Sequence, residues 1–375
     1  MAGIYIHIPF CKQRCTYCDF YTQVAPQKIG GIVDAIIREM HVRKYYLRDE
    51  SIETIYFGGG TPSLLSFHQF NLIFKAIFEL YHVIQNAEIT FEANPDDLTP
   101  EFLKQMKDLP FNRISIGIQS FNDDFLKSLN RRHTAQQAIN AVEFCQNYGF
   151  NNISVDLIYG LPGQTLCNWQ AELDTVFNLN VQHISVYGLT YEKGTKLWKQ
   201  REKGIVSETD DDLMIEMYSE LLKKMDINGF EAYEISNFAL PGYYSKHNSA
   251  YWKLNPYIGL GPSAHSFDGV SRQWNVASNT KYITAINSDN IFFEKEILSE
   301  TDRYNDYVMV TLRTSAGIDL SYLERKFGLK HLNYCLEISS KYISKQKLSF
   351  VNNHIRLTTA GIHISNLIIS DLMLV

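Results

Sequence analysis

The chain is 375 residues long, 45% hydrophobic and 20% charged, with a formal net charge of -6. A mean hydropathy of -0.19 and an isoelectric point near 6.0 suit a soluble protein of one large domain plus a smaller one, and give no reason to expect nucleic acid as a partner. No run approaches the ~20 apolar residues of a membrane span, the N-terminus lacks the regions of a secretory signal, and the six cysteines do not form a disulfide framework, so a cytoplasmic location is expected.

Six short runs rich in Ile, Val, Tyr or Phe recur along the first half, over residues 3–8, 52–57, 87–92, 113–118, 153–158 and 184–187. Each has the length of a buried parallel strand. Between them, 67–80 and 134–148 repeat apolar residues at helical spacing, and Thr99-Pro100-Glu101 supplies a cap, a first-turn proline and an acid for a helix over 101–108. This alternation predicts an α/β fold with a parallel sheet and right-handed crossovers.

A partial (βα)6 barrel of the TIM type is preferred to a flat doubly wound sheet, because the polar and glycine features gather at the carboxyl ends of the strands. Cys11 follows the first strand and Gly58-Gly59-Gly60-Thr61-Pro62 the second. Glu92 and Asn94 end the third, Gln119-Ser120 the fourth, Asp156 lies near the end of the fifth, and Tyr187 closes the sixth.

Past Tyr191 the pattern changes. A helix is expected around 211–226, then a connector dense in Gly, Tyr, Asn and Pro over 229–269. From Leu298, helices lead to strands at 348–351 and 355–357 about an Asn352-Asn353 turn, and a helix over 359–374 follows. These elements suggest a small C-terminal α+β winged-helix-like domain. The expected divisions are 1–200 for the barrel with its cluster, 201–297 for an extension and connector, and 298–375 for the terminal domain.

Cys11, Cys15 and Cys18 form a C-x3-C-x2-C triad, and the next cysteine is Cys145. Three thiolates can hold three irons of a [4Fe-4S] cubane and leave the fourth iron open, whereas a structural zinc site is closed by four ligands. Zinc completed by His7 or Asp19, or simply reduced thiols, remain alternatives at this point. The glycine run would let backbone approach a ligand, or is a tight strand-to-helix turn. Glu92, Gln119, Arg131 and Asp156 could bind a ribose or a charged amino-acid moiety, or pair structurally; buried polar groups at one barrel mouth need partners. In Lys246-His247-Asn248-Ser249-Ala250-Tyr251-Trp252, a histidine beside two aromatics could ligate a metalloporphyrin; spacing alone favours a hydrogen-bonded structural histidine. The apolar stretch 362–375 reads as a core helix, with docking to a membrane or partner as the alternative.

The triad, with Tyr17 before its third cysteine and the Gly-Gly-Gly-Thr-Pro run, resembles the radical S-adenosylmethionine (SAM) proteins. Four further runs, at 5–11, 115–121, 130–131 and 156–165, resemble the oxygen-independent coproporphyrinogen III oxidase-like group, over residues 3 to about 270. Oxidases of that group carry another cysteine two residues past the triad, where this chain has Phe20, and an N-terminal extension, whereas the first strand here begins by residue 3. Residues 247–252 instead match the H-N-x-x-Y-W motif of its heme chaperones. The resemblance implies cluster ligation by Cys11, Cys15 and Cys18, with the open iron taking the amino and carboxylate groups of SAM. It implies SAM contacts from Tyr5, Gly59, Gly60, Thr61, Glu92, Gln119, Arg131 and Asp156, and heme contacts from His247, Tyr251 and Trp252. The implied function is to bind heme and deliver it to hemoproteins such as membrane-bound respiratory enzymes, with homodimerisation and transient membrane association compatible with it. The alternative is radical decarboxylation of coproporphyrinogen III to protoporphyrinogen IX.

Overall fold

A computed structural model describes residues 1–48, 50–288 and 290–374. Strands β1 (Ala2–Ile8), β2 (Ile52–Gly59), β3 (Val83–Ala93), β4 (Arg113–Gln119), β5 (Ile153–Tyr159) and β6 (His183–Gly188) pair in that order, all parallel. The crossovers carry helices, of which Phe67–Leu80, Ala135–Asn147 and Leu166–Asn178 open in capping boxes formed by Ser66 with Gln69, Thr134 with Gln137, and Thr165 with Asn168. The helix expected over 101–108 runs from Pro100 to Met106.

Alternation along each strand divides two environments. Ile4, Ile6 and Ile8 join the core beneath the helices, where Phe57 packs edge-on against Phe70 and Phe70 against Phe111. Tyr5, Tyr56, Glu92, Ser115 and Asp156 occupy the alternate positions. In a flat sheet, β1 and β6 would stand roughly 24 Å apart at the usual strand spacing. Here Cys11, just past β1, and Tyr187, in β6, line the same cavity, so the sheet is curled into a partial barrel.

The connector is more regular than its composition suggests. It supplies β7 (Glu231–Ala232), β8 (Asn237–Ala239), β9 (Tyr257–Leu260), β10 (His265–Phe267), β11 (Ser271–Asn275) and β12 (Phe293–Ile297). Strand β8 pairs antiparallel with β6, and β9 runs parallel to β1. The twelve-stranded order is β12-β11-β10-β9-β1-β2-β3-β4-β5-β6-β8-β7, so both edges of the six-stranded unit are covered. Between β8 and β9, the helix Lys246–Trp252 lies at the amino ends of the strands, with His247 against Gly3 and Thr54.

A second core gathers Tyr304, Leu323, Ile355 and Ile368 from the C-terminal helices and a small sheet. Strands β13 (Ile318–Asp319), β14 (Leu348–Val351) and β15 (His354–Leu357) are antiparallel in the order β13-β15-β14. Asn352 and Asn353 both have positive φ, as a tight hairpin turn requires. The helix expected over 359–374 is broken into Thr359–Ile362 and Ser365–Leu372, because Ile364 is non-helical at φ -119. Gly361 sits so close to the Lys347 carbonyl that a Cβ would lie 1.9 Å from it, which ties the first piece to the hairpin.

Candidate functional site

The cysteine loop leaves β1 and is closed at its base by Cys11 N–H to Gln23 O, 3.1 Å, and Gln23 N–H to Pro9 O, 2.8 Å. Its far side is pinned by Thr16 N–H to Leu129 O, 3.0 Å, and by Asn130 Nδ2 to Arg14 O, 2.7 Å. Cys11, Cys15 and Cys18 are unbridged, partly buried, and line one cavity of about 520 Å³. Thr61 Oγ1 donates to Cys11 Sγ and Arg131 Nη1 to Cys15 Sγ, both at 3.4 Å. Asn94 links the two donors, giving Nδ2–H to Thr61 Oγ1 at 3.2 Å and accepting from Arg131 Nη2 at 2.7 Å.

Burial pushes the Cys11 thiol up and the Cys18 thiol up to about 11, so a bound cation is what would favour these two as thiolates at neutral pH. Among the described residues, no three His, Cys, Asp or Glu side chains converge on a single metal ion. A cubane instead spreads its thiolates over separate irons, and the donor set of three thiols with hydrogen-bond donors aimed at the sulfurs fits such a cluster.

The carboxyl ends of β3 to β5 form the polar wall. Tyr56 Oη donates to Glu92 Oε1 at 2.8 Å, yet burial, with Asp156 nearby, pushes the Glu92 carboxyl up to about 7. Burial likewise pushes Asp156 up to about 6, against hydrogen bonds from Ser185 and Ser115. Gln119 ends β4 at φ 72, in the left-handed region that favours glycine, where the β4–β5 register shifts. Three buried polar atoms in the lining lack partners: Arg131 Nε, Asp96 Oδ1 and His133 Nδ1. Unsatisfied groups of this kind fit a polar ligand with both donors and acceptors, as SAM is.

Glycines 58 to 60 have a stronger reason than ligand approach. A Cβ on Gly60 would lie 2.5 Å from Phe10 O, and one on Gly59, at φ 105, would lie 2.5 Å from the His7 ring. The run is therefore demanded first by packing, Gly58 against the Tyr56 and Tyr5 rings, Gly59 against His7 and Gly60 against the start of the cysteine loop, although Gly59 and Gly60 also line the cavity.

Of the residues expected at SAM, Gly59, Gly60, Thr61, Glu92, Gln119, Arg131 and Asp156 line the main cavity, and Tyr5 does not. Tyr5 faces a neighbouring cavity of about 320 Å³, its hydroxyl 3.1 Å from His7 Nδ1. Sequence reasoning missed Tyr56, Asp96, Arg132 and His133. The last two were signalled only by following Asn130-Arg131, and Arg132 anchors the rim through Asp96 at 2.7 Å.

The residues expected at heme occupy a different place. His247 is 2% exposed; its Nδ1 lies 2.7 Å from Thr54 Oγ1 and its Nε2 2.9 Å from Tyr251 Oη. Its ring stacks on Tyr56 at 5.0 Å, and burial, reinforced by Arg113, pushes its pKa down to about 3. Glu88 accepts the backbone N–H groups of Lys246 and His247, each at 3.0 Å, at the N-terminus of their helix. With both nitrogens engaged, His247 offers no free lone pair to iron in this conformation, which is the hydrogen-bonded arrangement that spacing alone favoured. Tyr251 lines the smaller cavity, and Trp252 Nε1 is buried without a partner.

Residues 5–176 match the Radical SAM superfamily and residues 298–364 the HemN C-terminal domain. The chain is 33% identical over 371 residues to the heme chaperone HemW of Lactococcus lactis, covering 99% of this chain and 97% of that one. It is 35% identical over 332 residues to the heme chaperone HemW of Bacillus subtilis, covering 88% of this chain and 87% of that one. The structure superposes on coproporphyrinogen III oxidase (HemN) from Escherichia coli with a TM-score of 0.86 at 22% identity, over 99% of this chain and 90% of that one. At that identity the likeness establishes the α/β fold and its C-terminal module. Among the described residues no helix is long and apolar enough to cross a membrane.

Proposed function

Because the chain belongs to the family of the heme chaperone HemW, within the radical SAM superfamily, we propose that it binds heme and delivers it to hemoproteins. The observation that carries this reading is the extent of the likeness, which spans 99% of the chain and so takes in both the cysteine loop and residues 246–252. Membrane-bound respiratory enzymes are the proposed recipients, reached from the cytoplasm by transient association, and the working form is a homodimer.

Cys11, Cys15 and Cys18 would hold the cluster, and Gly59, Gly60, Thr61, Glu92, Gln119, Arg131 and Asp156 the SAM beside it. The bound cluster supplies an open iron and an electron for SAM. Arg131 is suited to pair the SAM carboxylate. Glu92 and Asp156, with carboxyls raised to about 7 and about 6, are suited to exchange hydrogen bonds with ribose hydroxyls in either protonation state.

One anaerobic preparation tests the reading. After reconstitution, heme should titrate onto the protein and pass to an apo-hemoprotein, while coproporphyrinogen III incubated with SAM and reductant returns unchanged. Formation of a vinyl-bearing porphyrinogen by a sample that transfers no heme would reverse the assignment in favour of the oxidase.

A further inference from the structure

The smaller cavity, of about 320 Å³, lies beside the cysteine loop and is walled by Tyr5 and His7 of β1, Tyr251, Tyr257 of β9, His265 of β10, and Phe20. Five of these six side chains are phenol or imidazole rings, a lining suited to a flat macrocycle. Its volume is at the lower end for ligand sites, so a macrocycle seated there would leave an edge in solvent, as suits cargo that is handed on.

Three imidazoles lie in or beside this cavity, and their hydrogen bonding separates them. His247 is saturated by Thr54 and Tyr251. His7 is saturated by Tyr5 Oη at 3.1 Å and Tyr21 O at 3.0 Å. His265 is exposed, and neither ring nitrogen is hydrogen-bonded to a described residue. Its pKa is pushed down by partial burial and by Arg272, so the imidazole is neutral and a competent ligand at neutral pH.

The placement of His265 is built in. Its ring stacks on Trp274 at 6.2 Å and 27°, and its backbone crosses Gly259 so closely that a Cβ there would lie 2.0 Å from the His265 carbonyl oxygen.

We propose that this cleft is the heme seat and that His265, not His247, is the protein ligand to the heme iron; the inference rests on the heme-chaperone reading. His247 then acts as a positioning residue, holding Tyr251 in the wall. Phe20 and Asp19 line both cavities, so the bound macrocycle would share a wall with the cluster site.

The test is hemin titration of the full chain and of its His265→Ala, His265→Met and His247→Ala variants, read by Soret absorption and by electron paramagnetic resonance. Wild type should give a histidine-ligated spectrum. His265→Ala should lose that signature and at least tenfold in affinity, and added imidazole should restore the spectrum. His265→Met should move the spectrum toward thioether ligation. A His265→Ala or His265→Met variant with wild-type spectrum and affinity overturns the His265 assignment and leaves the chaperone reading standing. A wild-type chain that binds no hemin overturns the chaperone reading, and this inference with it.

Discussion

Arg131 donates to the sulfur of Cys15 at 3.4 Å with the same guanidinium that meets Asn94 at 2.7 Å, so one buried cation joins the middle cysteine of the triad to the end of β3. Its Nε–H is buried and unpartnered, and the residue lines the same cavity as the triad. Arg131→Lys keeps the charge but loses the planar fork. SAM affinity should fall by about 10- to 100-fold, the range of one to two charge-assisted hydrogen bonds, while iron content stays near wild type. Equilibrium SAM binding on reconstituted protein measures this, and an unchanged affinity would remove Arg131 from the cofactor site.

Gly60→Ala should destabilise the fold and the cluster together, because the new Cβ meets the carbonyls of Phe10 and Ile8 at 2.5 and 2.8 Å. Overpacking of this kind costs about 1–3 kcal/mol. Urea unfolding should show the loss, and cluster absorbance should decay faster in air. Gly204→Ala, at a position with open space around it and outside the cavity lining, should leave the cluster lifetime unchanged.

Replacing any one of Cys11, Cys15 and Cys18 by serine should abolish cluster assembly, while Cys145, Cys167 and Cys335, which do not line the cavity, should be dispensable for it. Iron and acid-labile sulfide counted per chain after reconstitution distinguish the two sets. Retention of a full cluster in Cys18→Ser would point to a ligand set other than the triad.

Stability between pH 7 and pH 5 should reflect opposed buried groups. The His247 and His133 pKa values are pushed down to about 3 by burial, with Arg113 acting on the first and Arg131 on the second. Each stays neutral in the fold while the unfolded chain takes up a proton, so each loses about 1.4 kcal/mol of stability per pH unit below about 6.5. Glu92, raised to about 7, has the opposite sign: its penalty is present above the folded pKa and disappears as pH falls toward the ordinary carboxyl value. His247→Phe should therefore flatten the acid-side decline in chemical denaturation, and Glu92→Gln should steepen it. The reverse ordering would contradict the burial of both groups.

Much of the site is local in sequence. The spacing of Cys11, Cys15 and Cys18, the apolar runs that became β1 to β6, and the Thr99 and Thr134 caps are all set within windows of a few residues. Seven of the eight residues expected at SAM line one cavity, because the carboxyl ends of parallel strands converge once the sheet curls. Tyr5 departs because the side chains at positions 5 and 7 of β1 both face the second cavity, beside the seam with β9, and the main cavity begins only at Cys11 past the end of the strand.

Period and spacing along the chain thus specified the strands, the helix starts, the cysteine loop and its chemistry, since each depends on neighbours a few residues away. Tertiary structure alone decided that β9 returns to pair with β1, that glycines 58 to 60 are required by packing, and that Thr54 is one of the two partners that saturate His247 while neither ring nitrogen of His265 is hydrogen-bonded to a described residue. The reason is physical: a side chain's hydrogen-bond partners come from wherever the fold brings them, and Thr54 lies 193 residues from the histidine it engages. No pattern around His247 itself carries that information.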